Sequence, residues 1–206
     1  YPIIATTTSS LSICEENLTD PLMPLNLILE ATQGIPDIEI SFSINGTLYS
    51  SIAGDINNIT ALNTSTLSDI RSLLNVGLNL IQITHVEDIG GNMCPNNLLP
   101  APISIEVFST PQILGFSAES NKICEGNGNA EIQFDFATGT GSSPFNIEYN
   151  YNGSGAIQLI NITHPHTENL TLPSTGTDYI FNLTNFTDNN GCNGLLISDF
   201  SVEVNE

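Results

Sequence analysis

The chain matches itself. Ile13-Cys14-Glu15-Glu16 returns as Ile123-Cys124-Glu125-Gly126, and the segments downstream of the two copies come in the same order. The first copy has an apolar run at 27–32, a proline-bearing turn at 34–36, an alternating run at 38–44 and then Asn45-Gly46. The second has the same features at 132–138, 139–144 and 145–151, followed by Asn152-Gly153. Further on, Leu80-Ile81-Gln82-Ile83-Thr84-His85-Val86-Glu87-Asp88 lies over Ile180-Phe181-Asn182-Leu183-Thr184-Asn185-Phe186-Thr187-Asp188, with a glycine and then a cysteine after each. Ser104-Ile105-Glu106-Val107 lies over Ser201-Val202-Glu203-Val204. A duplication in this many places makes each copy one folding unit of roughly 100 residues, the commonest domain size. The boundary falls near Ser109-Thr110-Pro111-Gln112, giving units 1–110 and 111–206.

Within each unit, short runs rich in β-branched and aromatic residues alternate apolar with polar, and turn residues recur roughly every 8 to 12 positions. This pattern predicts an all-β chain of two tandem antiparallel β-sandwich domains of immunoglobulin-like type. Seven strands are expected in the second unit, near 112–118, 130–137, 144–151, 156–162, 167–172, 178–187 and 195–204. Asn45-Gly46 and Asn152-Gly153 each sit between two runs, where both residues can take the positive φ of a type I′ hairpin turn. In the first unit Leu67, Ile70, Leu73 and Leu74 fall at helical spacing, which predicts a helical turn within 66–75.

Cys14, Cys94, Cys124 and Cys192 are too widely spaced for the C-x-x-C pairs of a zinc or redox motif, so they read as structural disulfides. If each unit folds by itself, Cys14 pairs with Cys94 and Cys124 with Cys192. Each bridge would close a long loop and contribute about 4–5 kcal/mol in the chain-entropy model. Disulfides persist in oxidising compartments, so the expected location is extracellular, at a cell surface.

Charge narrows the partners. Only Lys122 and Arg71 stand against 22 acidic residues, for a formal charge of −20. Nucleic acid and anionic lipid are bound mainly by neutralising phosphates with lysine and arginine, so neither is an expected partner. Such a polyanion is soluble, repels its own copies and attracts divalent cations. No apolar run is long enough to span a membrane as a helix.

Several of these residues resemble a known family. Ile123-Cys124-Glu125-Gly126, Phe134-Asp135-Phe136 with Gly139, Pro144-Phe145-Asn146-Ile147, Tyr179-Ile180-Phe181-Asn182-Leu183 and Thr187-Asp188-Asn189-Asn190-Gly191-Cys192 are similar to the immunoglobulin-like or PKD-like repeats of giant surface proteins in Bacteroidetes. The first unit departs from that pattern, with Glu16 in place of the glycine and Ile89-Gly90-Gly91-Asn92-Met93 lengthening the hairpin before Cys94. The resemblance implies repeats of a cell-surface adhesin of the kind moved in gliding motility and exported by the type IX route.

No catalytic constellation is found, and an enzyme is not expected. His164-Pro165-His166 with Glu168 reads as a polar loop between strands, and His85 as a surface position. Calcium is the cofactor considered, with Asp188, Asn190, Glu125, Glu87 and Asp88 as candidate ligands on loops beside the cysteines. Nine Asn-x-Ser/Thr sequons, at Asn17, Asn45, Asn58, Asn63, Asn152, Asn161, Asn169, Asn182 and Asn185, are candidate glycosylation sites. The leading functional expectation is a non-catalytic stalk or adhesive segment, whose partners are neighbouring repeats of the same polypeptide or filament and surface glycans or proteins. Two other readings stand beside it. One is a glycosylated filament subunit assembling by strand exchange through 1–10; the other is a carbohydrate-binding module using Tyr49, Tyr149 and Tyr151.

Overall fold

The computed structural model describes residues 3–6, 10–20, 29–33, 38–53, 71–88, 99, 101–124, 129–152, 154–172 and 178–205. Contacts divide the chain into two units, Tyr1–Phe108 and Ser109–Glu206.

In the first unit the described strands are β1 (Ile3–Thr6), β2 (Ser10–Cys14), β3 (Leu29–Gln33), β4 (Ile38–Ile44), β5 (Thr47–Ala53), β6 (Gly77–Asp88) and β7 (Ile103–Phe108), with a 3₁₀ turn at Glu15–Leu18. One sheet has the order β2-β7-β6-β4-β5, and β1 pairs with β3 in another. The second unit has β8 (Ile113–Ala118), β9 (Lys122–Cys124), β10 (Asn129–Phe136), β11 (Phe145–Tyr151), β12 (Ile157–Ile162), β13 (His166–Thr171), β14 (Asp178–Thr187) and β15 (Phe200–Asn205). Its sheets have the orders β9-β15-β14-β11-β12 and β8-β10-β13.

Placing β2 over β9, β7 over β15, β6 over β14, β4 over β11 and β5 over β12 superposes the two five-stranded orders. Register agrees to the residue: Ile13 lies opposite Val107 in the parallel pair β2–β7, and Ile123 lies opposite Val204 in β9–β15. These are the residues that the self-match aligns. Both units are immunoglobulin-like sandwiches in which the first strand is split, one half pairing antiparallel in the small sheet and the other parallel with the last strand.

Alternation puts the apolar residues inside. Ala130, Ile132, Phe134 and Phe136 point inward from β10, and Phe145, Ile147 and Tyr149 do so from β11. Val202 and Val204 complete that core from β15, as Ile103, Ile105 and Val107 do from β7 in the first unit. Aromatic rings gather in two groups in the second unit. Phe136, Phe145 and Phe186 have centroids 4.5–5.7 Å apart. Phe181 stacks on Phe200 at 4.8 Å, and Phe116 meets Phe200 edge-on at 4.7 Å. Such pairs contribute about 0.5–1.5 kcal/mol each beyond their burial.

Four expectations change in detail. The three-residue β9 is an additional strand, hidden in sequence by the cysteine turn. The last strand begins at Phe200 rather than 195, because the chain first crosses the Phe186 ring: the Gly194 N–H donates to the Phe186 carbonyl at 2.8 Å. Leu195 then forms an isolated bridge with Gln112. Asn45 and Gly46 take φ of +49° and +85°, as a type I′ turn needs, whereas Asn152 is not left-handed. There the loop before β12 is longer, and Ser154 closes it by donating its N–H to the Tyr151 carbonyl at 2.9 Å. Most of the expected helical turn at 66–75 lies outside the described residues; Arg71 is helical, and the Leu74 N–H donates to the Arg71 carbonyl at 3.2 Å.

Candidate functional sites

The Asp188 turn is the most organised polar site of the second unit. It comes directly after β14, and Asp188 as a whole is 2% exposed. Oδ1 accepts the N–H groups of Asn190 and Cys192, both at 2.9 Å, and Oδ2 accepts that of Ser142 at 2.8 Å. The backbone closes the same ring, with Asp188 N–H to Cys192 O at 3.1 Å and Gly191 N–H to Asp188 O at 3.0 Å, Gly191 being left-handed. Asn190 Nδ2 donates to Ser142 Oγ at 2.8 Å and Asn189 N–H to Ser142 O at 2.9 Å, so this turn is fastened to the loop before β11. On that loop Gly141 is left-handed, and a Cβ there would lie 2.5 Å from the Pro111 side chain.

Of the candidate calcium ligands, Asp188 and Asn190 thus share this turn. Glu125 lies outside the described residues. Glu87 and Asp88 end β6 in the first unit. Both Asp188 oxygens already face the positive ends of N–H dipoles, so a cation arriving there would first have to displace those donors.

The second unit's cysteines depart from the in-unit pairing. Cys14 and Cys192 are disulfide-bonded, whereas Cys124 is a free, exposed thiol and Cys94 lies outside the described residues. The expected Cys124–Cys192 bridge is therefore not formed, and topology gives the reason. Cys124 lies opposite Asn205 on β15, and Glu203 of β15 lies opposite Asp178, so Cys124 sits by the start of β14. Cys192 sits in the turn after its end. Ten residues of strand separate the two positions, about 30 Å at 3.3 Å per residue, whereas a disulfide needs Cα atoms within about 7 Å. The duplication is real, but it carries no information about which pole of the sandwich each cysteine occupies. Cys14 has the place equivalent to Cys124, opposite Phe108 and near Gly77 of β6.

The histidine segment is also different from its expectation. His166 and Glu168 lie on β13 with their side chains half-buried, not in a solvated loop. His164 Nδ1 accepts the Phe136 N–H at 3.3 Å while standing 3.4 Å from an Asp135 oxygen. His85 is half-buried on β6.

Tyr149 is fully buried, its phenol pKa pushed up by desolvation and then by the charge of Glu168. Tyr49 stacks on Phe42 at 5.7 Å, and Tyr151 packs edge-on to Tyr179 at the same distance. The three tyrosines therefore do not form an exposed platform for a sugar. At the other end of the chain β1, within the segment considered for strand exchange, pairs antiparallel with β3 of its own unit.

The sequons divide by what their amides do. Asn152 Nδ2 donates to the Asp178 carbonyl at 3.0 Å and Asn45 Nδ2 to Asn79 Oδ1 at 2.8 Å. Asn182 is half-buried between Asn150 and Asp199, and with its nitrogen turned to the carboxylate it donates at 2.8 Å. Asn161, Asn169 and Asn185 are exposed, Asn17 is half-buried on the 3₁₀ turn, and Asn58 and Asn63 lie outside the described residues.

Sequence reasoning missed two polar anchors. Asn79 is 1% exposed and bonds Asn75 through both its amide atoms, at 2.7 and 3.0 Å. Lys122 meets Glu203 at 2.8 Å across β9–β15, and that hydrogen bond, then the Glu203 charge, raises its pKa. The charges in Lys122 and Glu203 were visible, but only the parallel register makes them neighbours.

No family model and no curated protein matches the chain. Among solved structures, it is similar to the fibronectin(III)-like modules of Clostridium thermocellum CbhA at 12% identity and a TM-score of 0.34, covering 98% of this chain and 93% of that one. It is also similar to the FN1–FN3 domains of chicken CNTN1, at 9% identity and a TM-score of 0.37, covering 100% of this chain and 65% of that one. A third similarity is to a Ca2+-stabilised, ice-binding adhesin of an Antarctic bacterium, at 11% identity and a TM-score of 0.42, where the chain is covered to 99% but spans only 49% of the adhesin chain. These scores carry no function across, and the fold assignment stands on the strand order and register above.

Proposed function

We propose that this chain is a tandem pair of non-catalytic immunoglobulin-like repeats from the extracellular part of a surface protein, working as a spacer or adhesive segment. The observation that carries the reading is the residue-level repetition of one scaffold, down to the parallel pair Ile13–Val107 and its copy Ile123–Val204. An array of like units extends a polypeptide without adding chemistry, since each unit's core is satisfied within itself. Buried polar groups such as Asp188 and Asn79 are engaged in holding loops. An acidic surface suits such a segment, because like charges keep neighbouring fibres apart. A role in gliding adhesins exported by the type IX route is the finer form of the proposal, and it rests on the motif resemblance alone.

Antibodies raised against this chain offer the test. Decoration of intact cells, together with a native polypeptide containing further copies of the repeat, is the expected result. A protein confined to the cell interior would overturn the proposal.

A further inference from the structure

On the small sheet of the second unit, the edge strand β13 turns His166, Glu168 and Leu170 inward, with His166 opposite Phe134 and Glu168 opposite Ile132 of β10. An inward-facing charge on an edge strand discourages pairing with other chains, which accounts for a charge there but not for its neighbours. The Phe134 ring lies 5.6 Å from that of Tyr149, which β11 sends from the opposite sheet, and 6.0 Å from that of His166, and the charge of Glu168 reaches the Tyr149 phenol. Tyr149 Oη is buried without a hydrogen-bond partner, and so is His166 Nε2. Each such group costs about 1–3 kcal/mol while unpartnered, and a bound ligand that satisfies both would offset that cost.

The spacing indicates its kind. His166 Nε2 stands 3.6 Å from Glu168 Oε2. That is long for a hydrogen bond, yet close to the roughly 3.4 Å between two ligand atoms each about 2.1 Å from one tetrahedral ion. We propose that His166 Nε2 and the Glu168 carboxylate are ligands of a zinc-class divalent ion, with water in the remaining positions and Tyr149 Oη hydrogen-bonded to that water. One imidazole with one carboxylate suits zinc, nickel or copper; calcium prefers six to eight oxygens.

The probe is Zn2+ titrated calorimetrically into the full chain after stripping with EDTA, alongside long-range 15N spectra of the imidazoles. A saturable site of about one ion per chain is expected, shifting the His166 Nε2 resonance. His166→Ala and Glu168→Gln should each weaken it by at least roughly tenfold, with circular dichroism in EDTA showing that both still fold, while His164→Ala leaves it unchanged. Failure to saturate overturns the proposal, as does binding that survives His166→Ala. Displacement of Zn2+ by Ca2+ mole for mole would assign the binding to surface carboxylates. A structure of the zinc-soaked protein with a single water spanning the three groups would likewise overturn it.

Discussion

Asn152 holds Ile180 by both of its backbone polar groups: the Asn152 N–H donates to the Ile180 carbonyl at 3.3 Å, and its side-chain Oδ1 accepts the Ile180 N–H at 2.6 Å. Asn45 does the same to Leu80, at 3.0 Å in both bonds. The side chain imitates a peptide carbonyl and prolongs the ladder between the third strand and its long neighbour by one step past the turn. Only asparagine and aspartate have the reach and the acceptor. Asn152→Ala should therefore destabilise the second unit by about 1–2 kcal/mol, while Asn152→Asp keeps the acceptor and loses less. Urea unfolding of the full chain, followed by Tyr fluorescence, measures both.

The same clasp sets where glycans can attach. N-glycosylation needs an accessible Asn Nδ2, and at Asn45, Asn152 and Asn182 that nitrogen is engaged. If the protein meets a glycosylating pathway, occupancy is expected at Asn161, Asn169 and Asn185 well above those three. Site-resolved glycopeptide mass spectrometry reads the ratio, and high occupancy at Asn152 would contradict the bonding described.

Strand positions were readable because alternation in runs such as Ala130, Ile132, Phe134 and Phe136 states directly which face is buried, and because the duplication allowed one unit to check the other. Three features were not readable. β9 is too short for alternation to mark it. One of the three N–H donors that hold Asp188 comes from Ser142, 46 positions away, which no local pattern records. The Cys124–Cys192 pairing failed because spacing along the chain says nothing of direction in the sheet, and it is the parallel β9–β15 pairing that sends Cys124 to the far pole.

That pole leads to a chemical prediction. Cys124 is exposed and free, so iodoacetamide under native, non-reducing conditions should alkylate the Cys124 peptide, whereas Cys14 and Cys192 should react only after reduction and unfolding. Peptide mapping decides it. Protection of Cys124 in never-reduced protein would mean that it is bonded.

Asp188 yields the largest expected effect among the polar substitutions. Asp188→Ala leaves the buried N–H of Cys192 and the half-buried N–H groups of Ser142 and Asn190 without their acceptor, a loss on the order of 3 kcal/mol. Because those donors already occupy both carboxylate oxygens, millimolar Ca2+ should leave the melting temperature of the second unit unchanged. A calcium-dependent rise that Asp188→Ala abolishes would instead place an ion in this turn.

Gly194 tests the path of the chain between Cys192 and β15. A Cβ at this position would lie 2.0 Å from the nearest carbon of the Phe186 ring, and that ring is 1% exposed, wedged against Phe136 and Phe145. Neither the ring nor the backbone can yield easily, since Gly194 is tied to the Phe186 carbonyl at 2.8 Å. Gly194→Ala should therefore destabilise the second unit by about 1–3 kcal/mol through overpacking. Phe186→Leu in the same background makes room, so the double variant should lose less than the sum of the two single changes. Strict additivity in a double-mutant cycle would show that the glycine and the ring are not in contact.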